Sequence, residues 1–436
     1  MAYSDTLRAE GKTKKVFSTD DPSVVRIVSK DDITAFDDPN VTQLLSGKGI
    51  YATETTCNIF TILQQAGLPV AFIERIGDNE FTAPACRMIP LEAIARRIVG
   101  GPSGYRKRHP ELGSADVRFG RLMTEFFLKT SGGQLEVDGK PLVMGLDPLK
   151  GEEDPFISNF EDPEWRLVHP KKPTWDSTSD LGRSIPREVI LGKQRGIHVD
   201  HLLRRGTLAV ESFWGMLGFV LYDIKLELGL DADGELIIGD VIDADSWRMQ
   251  GPDSREYSKQ VFRDQASASG VDLEMLARLY AEIAELTRRF RIPRQALVLW
   301  TGSDKDQAPK TTDLPGVTLE TVVLSGHKKT QAALARLDEL HGRYPEGGVI
   351  ITKVGRSNGL GPILQSHTAW PVIAIPATAE DFPQDVWSSL RMPSAVPMST
   401  ILEDDNAVGA ALNILAQRNP ALLAKLRFAI EQTDIA

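Results

Sequence analysis

The chain has 436 residues, more than one compact core usually holds, so two domains are expected. Apolar residues at 42% leave room for sizeable cores, while a net charge of −10 argues against general nucleic-acid affinity, which needs a basic footprint. With only Cys57 and Cys86, a polar start unlike a signal peptide and no run of ~20 apolar residues, a soluble cytoplasmic protein without membrane partners is expected.

Strand-like pieces with charged residues between them run from Lys12 to Val28. Asn58–Gly67 reads as an amphipathic helix closed by glycine, and Met123–Lys129 as a strand. From Thr130 to about His201 the chain is rich in Gly, Pro, Asp and Lys, which predicts long loops and insertions. Leu202–Leu217 reads as a helix. Tyr222–Leu230 and Leu236–Val241 then alternate as a hairpin about a turn at Asp231–Gly234. Leu276, Leu279, Ile283, Leu286 and Phe290 recur along one face, predicting a helix over Val271–Phe290. Pro293 ends it and marks the domain boundary, giving expected domains of 1–291 and 294–436.

Beyond that boundary, Ala296–Trp300, Thr321–Leu324, Val349–Thr352 and Val372–Ile375 are short apolar runs, with a helical segment at Thr330–His341. This alternation predicts a doubly wound parallel sheet, whose ligands bind beyond the C-terminal strand ends. The fold class expected for the whole chain is thus α/β, with an α+β N-terminal part.

Three groups of residues carry possible chemistry. In Glu10–Phe17, Gly11 lets backbone approach phosphate oxygens, and Lys12 and Lys14 alternate onto one side as point charges for a triphosphate. A solvated basic edge strand would read the same way. In the hairpin, Lys225 and Glu227 share a face, and a tight turn would put Asp240 roughly opposite Lys225. Two carboxylates and an ammonium there suit a Mg²⁺ ion bridging phosphates. The polar run Asp243, Asp245, Ser246, Arg248 follows directly. In the C-terminal part, Gly302–Asp306, Ser325–Lys329 and Gly355–Pro362 are Gly-containing loops at three strand ends, and His327 among them is a natural proton shuttle.

The serial motifs EGKTKKVF, MIPLE with ARRI, EFFLK, DIKLELG and DVIDADSWR resemble those of SAICAR synthetase over roughly residues 8 to 290. That family has a two-lobed ATP-binding fold and joins L-aspartate to the carboxylate of carboxyaminoimidazole ribonucleotide (CAIR), releasing ADP and phosphate. The resemblance implies that Gly11, Lys12 and Lys14 contact ATP phosphates and that the backbone from Met88 to Leu91 faces adenine. It implies Glu227 and Asp240 as Mg²⁺ ligands, and Lys225 and Arg248 in the substrate and phosphate cleft. Arg96, Arg97 and Ser103 fall on the side of the CAIR ribose phosphate. Either Asp147-Pro148 or Asp154-Pro155 could stand for the family's Asp-Pro.

From Ala296 onward, GRSNGLGP, VWSSLRMPS and STIL resemble AIR carboxylase of the type fused to SAICAR synthetase in animals. That form adds CO₂ to aminoimidazole ribonucleotide (AIR) with neither ATP nor an organic cofactor, on a flavodoxin-like domain that assembles into homo-oligomers. Ser303 and Asp306 would hold AIR or CO₂, and His327 would move the ring proton. Ser357 and Asn358 would shape the CO₂ pocket, with Arg356 and Lys328 countering the ribose phosphate. Two features depart from the family: Lys305 replaces an expected serine, and Gln307–Val317 has prolines and no helical period. The alternative to a bifunctional enzyme is a synthetase whose second domain serves only as an oligomerisation scaffold.

Overall fold

A computed structural model describes residues 3–34, 42–267, 272–312 and 314–433. Contacts divide the chain into two units, Met1–Phe290 with Phe428–Ala436, and Arg291–Arg427. The second unit therefore ends earlier than the expected 294–436, because the last residues side with the first unit.

In the first unit an antiparallel sheet holds β1 (Tyr3–Glu10), β2 (Lys14–Thr19) and β3 (Val24–Ser29). Helix α1 (Lys48–Gln65) follows, and β4 (Glu80–Pro84) returns to pair with β3. The expected helix at Asn58–Gly67 is only the end of α1. Its first half buries Lys48, Thr53, Glu54, Thr55 and Thr56, and so shows no apolar period.

Next come β5 (Arg87–Met88), β6 (Leu91–Val99), β7 (Val117–Leu128), β8 (Phe156–Ile157), β9 (Glu164–Val168) and β10 (Asp180–Pro186). The segment expected to be long loops thus contributes three strands to the central sheet, besides a small hairpin of Leu135–Val137 with Lys140–Val143. The three are hard to read because β8 has two residues and β9 five, and five of the seven residues of β10 are exposed.

Helix α2 (Gly196–Met216) starts six residues before the expected Leu202, and β11 (Val220–Leu226), β12 (Leu228–Leu230), β13 (Leu236–Ile238) and β14 (Trp247–Gln250) follow. The central sheet runs β10-β9-β8-β7-β6-β11-β14, antiparallel throughout. Helix α3 (Leu273–Thr287) buries Leu276, Leu279 and Ile283, and Asp272 caps it by accepting from the Met275 amide. Val271, the expected start, lies outside the described residues.

The hairpin forms, but not as one ladder. Pairing of β12 with β13 runs only from Leu230↔Leu236 to Leu228↔Ile238. Before Glu227 the strand belongs to the central sheet, so Lys225 lies opposite Ile94 and not opposite Asp240. The chain changes sheets at Glu227.

The second unit holds β15 (Gln295–Thr301), β16 (Val317–Val323), α4 (Thr330–Arg343), β17 (Gly348–Val354), α5 (Leu360–Gln365), β18 (Val372–Pro376), β19 (Ser399–Thr400), α6 (Asp404–Ala416) and the start of α7 (Pro420–Gln432), whose residues from Phe428 on belong to the first unit. All pairs are parallel in the order β16-β15-β17-β18-β19. That is the 2-1-3-4-5 order of flavodoxin-like sheets. The near-continuous apolar runs of β15 and β18 match burial on both faces, with α4 residues on one side and α6 residues on the other. No described helix is long and apolar enough to cross a membrane.

Candidate active sites

Strand alternation sorts the first unit's charges. Glu92, Ile94 and Arg96 share one face of β6 with the residues opposite them, Met123, Glu125 and Phe127 on β7 and Asp223 and Lys225 on β11. Two rows of charge cross this face.

The first row is guanidinium and carboxylate in alternation. Arg108 pairs with Glu125, and Glu125 accepts from Arg96 Nε at 2.9 Å. Arg96 Nη1 donates to Asp223 at 2.6 Å, and Asp223 pairs in turn with Arg248 on β14. Three cations against two carboxylates leave one positive charge in excess, which suits a phosphate. Arg248 Nη1 also reaches Gly100 O at 3.1 Å, and Ser103 caps a short helix by accepting from the Arg106 amide. Arg97 is not in this row. The next residue on a strand faces the other way, and Arg97 is 2% exposed, held by Glu211 of α2 at 3.0 Å and by Glu431 at 2.7 Å. Its expected place at the ribose phosphate with Arg96 is corrected by that alternation.

The second row is built from lysines. Lys225 Nζ lies 2.9 Å from Glu92 and 3.3 Å from Glu227, and Lys129 Nζ lies 2.8 Å from Glu227. Lys14, from β2, pairs with Asp240 just past β13. Thus Glu227 and Asp240 meet one lysine cluster, through different sheets. Burial brings the Lys14 ammonium down to about 8, with Glu227 pulling the other way and Lys129 adding to the fall. Burial also opposes the charges of Lys225 and Glu227, but their partners outweigh it and hold both ionised. Lys12 and Gly11 are exposed in the turn that precedes β2. Met88 is partly exposed, with its sulfur where a Cβ on Gly239 would stand (2.8 Å), while Leu91 is buried.

Behind this row lies a group the motifs flagged without a role. Asp245 lies 3.3 Å from buried Lys48 and 3.2 Å from Lys259, and accepts from Tyr280. Burial, with Asp245 beside it, pushes the Asp243 carboxyl up to about 6. Of the two Asp-Pro pairs, Asp154 takes the Thr130 amide at 2.7 Å, one residue from Lys129, whereas Asp147 caps an exposed turn. Glu92, Lys129, Glu125, Asp223 and Arg108 were in no expected site. The parity of Glu92 with Arg96, and of Glu125 with Lys129, was the signal that could have found them.

In the second unit the three Gly-containing loops leave β15, β16 and β17 at their C-terminal ends. A cavity of about 590 Å³ is lined by Ser303, Lys305, Asp306, Lys353, Arg356 and Thr378, among others. Ser303 Oγ donates to Asp306 at 2.9 Å. Lys353 is neutralised by Asp404 at 2.7 Å, and Arg356 stacks over Phe382 at 4.8 Å. Arg356 has a φ of 58°, held by its amide donating to Thr378 Oγ1.

His327 does not line this cavity. The residue is exposed, and its ring lies over Gly359, where a Cβ would stand 1.9 Å from Nε2 and force the ring to move. Lys328 and Ser357 are exposed as well. Asn358 is buried and spent on the fold: it donates to Ser389 Oγ at 3.1 Å and accepts from the Gly361 amide at 3.0 Å. Those bonds fix the orientation of a residue expected to shape the CO₂ pocket. The described part of 307–317 forms no helix.

A model of the SAICAR synthetase family matches residues 7–138 and 203–277, and one of the AIR carboxylase family matches 300–434. The unmatched 139–202 includes β8 to β10, the strands of the central sheet that composition hid. The probable multifunctional protein ADE2 of Caenorhabditis elegans is 32% identical over 433 residues, 96% of this chain and 92% of that protein. The human bifunctional phosphoribosylaminoimidazole carboxylase/phosphoribosylaminoimidazole succinocarboxamide synthetase is 31% identical over 443 residues, 98% of this chain and 94% of its own. Among solved structures, a SAICAR synthetase (Type-2) in complex with ADP aligns with 64% of this chain and 96% of its own at 23% identity and a TM-score of 0.48. The chain belongs to the family of bifunctional AIR carboxylase and SAICAR synthetase enzymes.

Proposed function

We propose that the chain catalyses two consecutive steps of purine biosynthesis, carboxylation of AIR to CAIR in the second unit and ATP-dependent ligation of L-aspartate to CAIR in the first. The observation that carries the ligase reading is the pair of charge rows on one sheet face, lysines for a triphosphate beside arginines for a ribose phosphate. Activating a carboxylate by phosphoryl transfer is mostly positioning and charge neutralisation, and needs no protein nucleophile. Lys14, Lys129 and Lys225 hold the phosphates, with Gly11 and Lys12 at the strand that leads to them. Arg96 and Arg248 orient CAIR so that its carboxylate meets the terminal phosphate, with Ser103 beside them. Asp154 lies on the side where the amine of aspartate enters.

Glu227 and Asp240 offer hard oxygen ligands suited to Mg²⁺. A cation there would share its coordination with phosphate oxygens of the nucleotide. When bound, Mg²⁺ supplies neutralisation of the charge on those phosphates.

For carboxylation, Ser303 and Asp306 fix AIR and Arg356 with Lys305 faces its phosphate. The ring carbon attacks CO₂, and His327 takes the proton the ring loses. Neither ATP nor an organic cofactor enters this step. Exposed Trp387, Phe382, Leu390 and Leu402 support a homo-oligomer built on this unit. Two free cysteines, one of them buried, accord with a cytoplasmic location.

The test is one coupled assay. AIR, bicarbonate, ATP and aspartate together should give SAICAR, while AIR with bicarbonate alone should give CAIR. Omitting ATP should stop the sequence at CAIR. No CAIR from AIR at any concentration would leave the second unit a scaffold.

A further inference from the structure

The ladder between β6 and β7 is broken in one place. Arg118 pairs with Ile98 and Met123 with Arg96, so residues 119–122 of β7 stand across from Arg97 alone. Such a bulge leaves backbone groups without ladder partners, and buried ones must find others. Arg97 Nη1 donates to Phe119 O at 3.2 Å and to Gly120 O at 2.7 Å. Arg204 of α2 donates to Leu122 O at 2.7 Å. The Leu122 amide is met by a residue from the far end of the chain, Glu431 of α7, whose Oε2 accepts at 3.0 Å. Its Oε1 accepts from Arg97 Nη2 at 2.7 Å, and the side chain is 5% exposed.

The bulge sits between two groups of the arginine row. Immediately before Arg97 is Arg96, paired with Glu125 and Asp223. Just after it, β6 runs out at Val99 into Gly100, whose carbonyl accepts from Arg248. Holding the bulge therefore holds both. We propose that Glu431 is a positioning residue of the CAIR side of the synthetase site, acting through Arg97 and the Leu122 amide. Residues that follow the carboxylase unit in sequence thus complete the synthetase unit in space. This inference rests on the ligase reading above.

The experiment uses the full chain with Glu431→Ala and measures KM for CAIR, KM for ATP, kcat and AIR carboxylation on one preparation. Losing an acceptor for a buried amide and one partner of a buried arginine should raise KM for CAIR about tenfold. ATP affinity and carboxylation should stay unchanged, because none of the residues assigned to those two sites bonds to the bulge. Glu431→Gln keeps an acceptor for Leu122 but loses the charge facing Arg97. It should show a smaller rise, about threefold, and serves if the alanine variant does not fold. An unchanged KM for CAIR overturns the proposal. So does an equal fall in both activities with KM values intact, which marks a role in folding alone. Absence of SAICAR from the unaltered chain would overturn the ligase reading and this inference together.

Discussion

The two units place their charges in opposite ways. In the first, the groups sit on strands of one sheet, and most are paired and buried before any ligand arrives: Arg96, Glu125, Asp223 and Arg108 are each at most 10% exposed as side chains. In the second, Ser303, His327, Lys328 and Arg356 sit on loop tips at strand ends and are exposed. A strand site is set by sheet register and is rigid, whereas a loop-tip site is set by a few side-chain bonds and by whatever later covers it. Substitutions in the first unit should therefore disturb folding and catalysis together. In the second they should touch catalysis alone.

The largest effect is expected at the paired carboxylates. Glu227→Ala or Asp240→Ala should lower SAICAR formation on the order of a thousandfold, with carboxylation by the same sample unchanged. Near-normal synthesis in both variants would remove the metal assignment. Arg96→Met and His327→Asn then set the two units side by side. The first strands two buried carboxylates with one partner fewer each and should cost about 3 kcal/mol in urea unfolding. The second alters an exposed ring, so stability should stay within about 0.5 kcal/mol while CAIR formation is lost. Equal destabilisation by both would break the contrast.

What could be read from the sequence follows the same division. The parallel sheet was plain, because strands buried on both faces show as unbroken apolar runs such as Ala296–Trp300. The loops Gly302–Asp306, Ser325–Lys329 and Gly355–Pro362 were legible as glycine-bearing strand ends. Strands β8 to β10 were not: β8 has two residues, β10 is mostly exposed, and β9 alternates over only five residues amid Pro, Asp and Lys, while the first half of α1 hid because its buried residues are polar. Lys225 and Glu227 were correctly put on one face by alternation, but alternation cannot show where a strand leaves one sheet for another, which moved Asp240 to Lys14. The pairing of Arg97 with Glu431 spans 334 positions, and no local pattern encodes it.

Assembly tests the exposed half of the contrast. If the apolar residues Trp387 and Leu390, 54% and 53% exposed, are covered by a second copy, light scattering on the full chain should give a multiple of 48.0 kDa. Trp387→Asp should shift it toward the monomer and lower carboxylation more than ligation. A full-length monomer at micromolar concentration would refute this.

The smallest effect, and the most telling about the second unit, is expected at Lys305. No helix follows this loop in the described part of 307–317, so no helix N-terminus is available there to receive a phosphate. Around the cavity Lys353 is already paired with Asp404, and Asp306 accepts from Ser303. Lys305 and Arg356 are then the cations left facing it, and an ammonium on a flexible stem can act as a point charge where a helix end is missing. Lys305→Ser, which restores the residue expected from the family resemblance, should raise KM for AIR about fivefold, worth about 1 kcal/mol for a solvent-exposed charge contact. Because the contact is exposed, the difference between the two proteins should shrink as salt is raised. An increase in turnover on restoring serine would give the opposite answer: the lysine would then obstruct the site, and phosphate would be held by Arg356 without it.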